Sequence, residues 1–224
     1  MNTRRNFLLQ SSMATAALLA AKPFKTFAKI SSPVTADLFN KKSLLLLHGN
    51  GGSATDISHT IQQCRDRHAQ VAYLHTGKHI PENIKADAML QSGDAAFSPA
   101  NSYTIFYKGD IKVGVLSACK ENKNELSSLA GYLKKEKRCD IVVCLSNLGF
   151  RNKSGADDIS LAQGSKNIDF ILGSKKDNNS LHPYIALNKE QHEVVIAHTA
   201  NTENALGQIA IAFNDKRQKI NIAF

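Results

Sequence analysis

The stretch LLLLHGNGGS, Leu44–Ser53, decides how this chain is read. Four consecutive apolar residues predict a strand buried on both faces. They run straight into His48 and a glycine-rich turn. Loops of this kind serve two chemistries. One lends backbone N–H groups to an oxyanion beside a nucleophilic serine. The other carries metal-ligating side chains at the carboxyl end of a strand, where α/β folds gather their ligands.

The serine reading needs a G-x-S-x-G elbow between a strand and a helix. Gly114-Val-Leu-Ser117 has the wrong spacing and falls inside an apolar run. Gly173-Ser174 is followed by two lysines and lacks the preceding glycine. Gly164-Ser165 leads into a strand rather than out of one. An α/β-hydrolase-like esterase acting through HGNGG is therefore the third reading of the chain.

The 224 residues suffice for one α/β domain. At 42% hydrophobic and 21% charged residues, the composition is that of an ordinary globular protein. The N-terminus, MNTRRNFLLQSSMATAALLAAKPFKTFA, carries Arg4-Arg5, a modest apolar run and a small-residue site near Ala28. This pattern is that of a twin-arginine (Tat) export signal over 1–28, followed by a polar linker over 29–42 and one domain over 43–224. The apolar run falls well short of the ~20 residues a membrane span needs. A periplasmic or exported protein with no stable span after cleavage is expected. Loss of 1–28 removes Arg4, Arg5, Lys22 and Lys25 and no acid, so the formal +9 falls by four to +5. The densest basic run, KKEKR (134–138), ends a helical pattern and is expected to be a solvated helix end. No basic stripe with interleaved aromatics is present, which excludes nucleic acid as an expected partner. Cys64, Cys119, Cys139 and Cys144 have no metal spacing, and a disulfide is not expected.

Short apolar runs predict strands over 43–48, 70–75, 103–109, 111–119, 140–147, 168–174, 193–199, 207–215 and 219–224. Helical patterns cover 53–68, 124–138 and 157–164. YKGDIKV and AFNDKRQKINIAF read as hairpins. Strand–helix–strand units with hairpins nearby predict an α/β (α+β) fold, either one mixed sheet or two stacked sheets flanked by helices.

The order of landmarks supplies more. LHGNGGS (47–53), HTGK (75–78), GDAAF (93–97), LSNLG (145–149) and GSKKD (173–177) follow one another as do the motifs of the calcineurin-like metallophosphoesterases. DIVVCLSNLGF and SLAQGSKNIDFILGS are the closest segments. The chain resembles the 5′-nucleotidase branch of that superfamily over most of 43–213. The resemblance implies a metallophosphoesterase-like fold, a β-sandwich of two mixed sheets flanked by helices, with two metal ions at the strand ends, and a separate substrate-recognising domain in the full architecture.

At the positions where the resemblance puts metal ligands, the residues have changed. Gly51 and Ser53 stand for the first Asp and His, and Lys78 for the bridging Asp. Asp94 stands for the ligand Asn, with Ala95 at the neighbouring His. Asn147 stands for the fourth motif's His, and Lys175 and Asp177 for the last pair. Glycine and alanine have no donor atom, and a protonated Lys cannot ligate. Changes merely around a metal site already cost about 10–100-fold in affinity or activity. No metal or other cofactor is therefore expected. Lys78, Asp94, Asn147 and Lys175 form the candidate anion site in the altered cleft, with Lys ammonium groups in place of cations. No catalytic residue is assigned.

Five of the eight histidines, His48, His59, His68, His75 and His79, fall in one stretch. A relocated zinc site would need three or four of them to converge. The first expectation is thus an exported, metallophosphatase-like protein without its dinuclear centre or phosphatase activity. It would bind a small anion, or partner a catalytically intact relative or a separate substrate-domain protein. The alternative is an active phosphoester hydrolase with relocated ligands.

Overall fold

A computed structural model describes residues 42–50, 54–68, 70–77, 80, 84–89, 103–118, 125–152, 157–174, 182–199 and 206–224. In chain order the elements are β1 (Ser43–Gly49), α1 (Ala54–Arg67), β2 (Val71–His75), β3 (Ala88–Met89), β4 (Tyr103–Lys108), β5 (Ile111–Ala118), α2 (Leu126–Lys135) and β6 (Ile141–Ser146). Then follow α3 (Asp158–Gly164), β7 (Phe170–Ser174), β8 (Tyr184–Leu187), β9 (Glu193–Thr199), β10 (Gly207–Phe213) and β11 (Lys219–Ala223). The strands form two mixed sheets, ordered β11-β10-β1-β2-β3 and β4-β5-β6-β7-β9-β8. Of the two arrangements the apolar pattern allowed, this is the two-sheet one, which the resemblance implied. The two-residue β3 had no apolar run to announce it, whereas β8 is the short apolar stretch YIAL within HPYIALN, which fits a closing strand of the resembled family.

Period-two alternation explains why the central strands read as unbroken apolar runs. In β1, Leu44 and Leu46 join Leu74, Val143, Leu145, Phe170, Leu172 and Ile211 in the core between the sheets. Leu45 and Leu47 face the other way, against Ile57, Ile61 and Cys64 of α1. On the second sheet, Val142, Cys144, Ile171, Val194 and Ile196 pack outward against α2 and α3. The result is four layers, helix, sheet, sheet, helix, with the central strands covered on both faces.

The helices follow their sequence signals. α2 buries Leu126, Ala130 and Leu133 at helical spacing. α3 begins with a capping box: the Asp157 carboxylate accepts from Ser160 N–H at 2.7 Å, and the Ser160 hydroxyl accepts from Asp157 N–H at 3.2 Å. The β4–β5 turn places Gly109 at φ +56°, a left-handed conformation that favours glycine.

The basic run at the end of α2 differs from expectation. Lys134 is not a solvated helix end. Its ammonium meets Asp169 at 2.8 Å and also donates to Asp140 O at 2.7 Å. Asp169 accepts from Val142 N–H at 2.8 Å and faces Lys219 of β11 at 3.4 Å. One carboxylate thus ties α2, β6 and β11 together. Cys64, Cys139 and Cys144 are buried and none is in a disulfide; Cys119 lies outside the described residues.

Asp169→Ala should cost about 2 kcal/mol, because it strands the Val142 N–H and two ammonium groups together. Urea unfolding of the variant against wild type measures this; a change within error would show that the hub is dispensable.

Candidate functional site

β1, β2, β5, β6, β7 and β9 end at one edge of the sandwich. β1 and β2 are parallel neighbours, as are β5–β6, β6–β7 and β7–β9. Side chains at this edge are polar where the strand interiors are not: His48, His75, Thr76, Ser146 and Thr199 are all buried there.

Of the four residues proposed for the anion site, Asn147 is described. It follows Ser146 at the end of β6 and is exposed. Lys78, Asp94 and Lys175 lie outside the described residues, as do Gly51, Ser53, Ala95 and Asp177. Lys78 comes two residues after Thr76, and Lys175 directly follows the last residue of β7.

Of the five histidines between 48 and 79, the described ones do not converge. In the β1–β2 register His48 is opposite Leu74 and Gly49 is opposite His75. His48 therefore shares the inter-sheet face with Leu44, Leu46 and Leu74, while His75 points to the α1 side with Tyr73. There His75 Nδ1 and the Tyr73 hydroxyl are hydrogen-bonded at 3.1 Å. His59 is exposed on α1, and His79 lies outside the described residues. Among the described residues no three His, Cys, Asp or Glu side chains are grouped to hold a metal ion. The described donors do not fit a dinuclear centre.

What the edge does hold is a buried polar network that the sequence reading missed. Asp158, fully buried at the first position of α3, accepts from the Ser146 hydroxyl and from His198 Nε2–H, the latter at 2.7 Å. The Ser146 oxygen accepts in turn from Leu148 N–H at 3.1 Å. Asp158 N–H donates to Gly149 O at 2.9 Å. The network joins the ends of β6 and β9 to the start of α3 and so fixes the segment from Ser146 to Gly149 that contains Asn147. Glycine at 173 suits this packing, since a Cβ there would sit 3.0 Å from His198 Nε2. The sequence signals were the acidic pair Asp157-Asp158 opening a helix and a histidine closing an apolar strand. Neither announced its partner.

His48 has a different environment. Burial, and then the neighbouring His198, lower its imidazole from 6.5 to about 3, so it is neutral at physiological pH. Gly207, paired with His48 across β1–β10, leaves room for that ring: an added Cβ would overlap it.

The metallophosphoesterase-like fold is shown by solved structures rather than by sequence. No family model matches the chain, and no curated protein sequence does. The 5′-nucleotidase precursor from Thermus thermophilus superposes with a TM-score of 0.63 at 13% identity, over 80% of this chain and 53% of its own. NAD nucleotidase from Haemophilus influenzae gives 0.59 at 13% identity, over 80% and 49%. The sulfate thiohydrolase SoxB from Thermus thermophilus gives 0.54 at 14% identity, over 79% and 42%. This chain therefore spans about half the length of these solved proteins. The architecture is the one expected from the motif order: two mixed sheets between helices, with the parallel strand ends gathered at one edge.

Two measurements probe the edge. Asp158→Ala leaves the Ser146 hydroxyl and the His198 imidazole without their carboxylate in full burial and should cost about 3 kcal/mol by urea unfolding. Asp158→Asn, which keeps an acceptor, should cost roughly half as much. For His48 the folded value lies below the unfolded one. Its contribution to stability is therefore complete above pH 6.5 and is lost as pH falls from 6.5 toward 3. The difference in stability between wild type and His48→Leu should change by up to about 1.4 kcal/mol per pH unit within that window; a flat difference would contradict the buried neutral imidazole.

Proposed function

We propose that this chain is an exported, catalytically degenerate relative of the 5′-nucleotidase-type metallophosphoesterases that binds a small oxyanion in the altered cleft. One observation carries the reading. The fold and its ligand-gathering strand ends are retained, while the residues at the ligand positions of the motif series are Gly51, Ser53, Lys78, Asp94, Asn147, Lys175 and Asp177. Two lysines stand where carboxylate or imidazole would be needed. A Lys ammonium binds phosphate or carboxylate as a point charge but cannot generate a metal hydroxide. Export rests on the Arg4-Arg5 signal pattern. Among the described residues no helix is long and apolar enough to cross a membrane. A catalytically intact relative, or a separate protein carrying a substrate domain, is the partner this role would require.

The deciding measurement is metal content after incubation with excess zinc, manganese and iron and then desalting. Hydrolysis of 5′-AMP and of a bis(aryl) phosphate is assayed on the same sample. The expectation is less than about a tenth of a metal per chain and no turnover, because too few donors remain to hold a cation pair. Stoichiometric metal with turnover would overturn the reading and establish a hydrolase with relocated ligands. Phosphate should raise the melting temperature of the wild type, and Lys78→Asp or Lys175→Glu should abolish that shift.

A further inference from the structure

Among the described residues, and apart from His198 Nδ1 on the α3 side, three buried side-chain atoms at the strand-end edge have no hydrogen-bond partner: His48 Nδ1, Thr76 Oγ1 and Thr199 Oγ1. Their residues are only 1%, 2% and 3% exposed. All three fall on the same side of their sheets. His48 continues the face of Leu44 and Leu46, Thr76 that of Ala72 and Leu74, and Thr199 that of Val195 and Ala197, and all six of these line the core between the sheets. The alternation holds at Thr76 because its N–H bonds to Gly49 O at 2.7 Å, which extends the β1–β2 ladder. Two of the three are on neighbouring strands of one sheet, and the third ends the facing sheet.

An unpaired polar group in full burial is disfavoured, and native folds leave few without a reason. Here three lie on the inter-sheet side of the edge to which the fold brings its strand ends. We propose that His48 Nδ1, Thr76 Oγ1 and Thr199 Oγ1 form the floor of an oxyanion site and hydrogen-bond a phosphoryl group from below. This inference rests on the anion-binding reading above and names the groups that recognise the ligand.

The donor chemistry selects the ligand. Two hydroxyls and one imidazole N–H can each donate to an oxyanion oxygen. The described carboxylate bonded at this edge, Asp158, faces the helix side and is engaged by Ser146 and His198, so it offers nothing to a cation on the inner face. His48 is neutral at physiological pH and contributes a hydrogen bond rather than a charge. In the chain, a lysine of the anion-binding reading stands near each threonine or its strand partner. Lys78 follows Thr76 by two residues. Thr199 pairs in register with Ser174, which Lys175 follows directly.

The test is thermal unfolding of the full chain with inorganic phosphate, and in parallel with 5′-AMP. Thr76→Val and Thr199→Val are near-isosteric and delete only the hydroxyl. Each should reduce the phosphate-dependent rise in melting temperature by at least about half, since that rise reports binding to the folded state. Each should also melt no lower than wild type without phosphate, because an unpaired buried hydroxyl is removed. Thr76→Ser and Thr199→Ser, which keep the hydroxyl, should retain the shift. Loss of the 5′-AMP shift alongside the phosphate shift would place the nucleotide's phosphoryl group on these donors; loss with phosphate alone would assign the site to the free ion. The proposal is overturned if the valine variants keep the full shift. It is equally overturned if they unfold or melt clearly lower without phosphate, which would give the hydroxyls a structural role. No phosphate shift in wild type would defeat this proposal and the anion-binding reading together. A shift that Lys78→Asp and Lys175→Glu abolish but the valine variants keep would leave that reading standing and defeat this one.

Discussion

Period-two alternation between two stacked sheets governs this protein. A central strand covered on one face by the opposite sheet and on the other by a helix has no wet side. Leu44 through Leu47 of β1 and Ile141 through Leu145 of β6 are apolar for that reason. Polar chemistry is then confined to strand ends, and the face on which each end residue lies is set by counting along the strand. His48 and His75 are neighbours at one edge and yet point into different layers. His198 and Thr199 are adjacent in sequence; one joins the Asp158 network under α3 and the other faces the inter-sheet core.

Much of the fold was legible because this constraint writes itself into composition. Runs such as LLLL and IVVCL announce buried strands. Leu126, Leu129, Ala130 and Leu133 announce a helix with one apolar stripe. The strand order was beyond the sequence, since β1 pairs not only with β2 but with β10, far along the chain. Lys134 was misjudged for a related reason. Its position at a helix end was visible, but its partner Asp169 belongs to a different connection and meets it only after α2 docks on the second sheet.

The site was legible in a different way. The motif series located the edge and named the positions where metal donors are missing, which is a statement about residue types. The groups that the edge does contain were not visible as such. Thr76 looks like an ordinary loop residue until the Thr76–Gly49 hydrogen bond extends the ladder and fixes its face. Asp158 looks like one more acid at a helix start until Ser146 and His198 close on it. Such assignments depend on register and on pairings between strands far apart in the chain, and no local pattern encodes either.

The pairing of β1 with β10 has a consequence for how the molecule assembles. Ser43 lies opposite Ala212 and Leu46 opposite Ile209, so the first strand of the domain is completed by one of the last. Until β10 is available, β1 has an open edge of unpaired backbone groups. Contacts of such long sequence separation slow folding and extend the time for which sticky surface is exposed. The β10–β11 hairpin then acts as a late fastener: Arg217 reaches Asp140 and Lys219 reaches Asp169 on the other sheet, so closing the first sheet also locks it to the second.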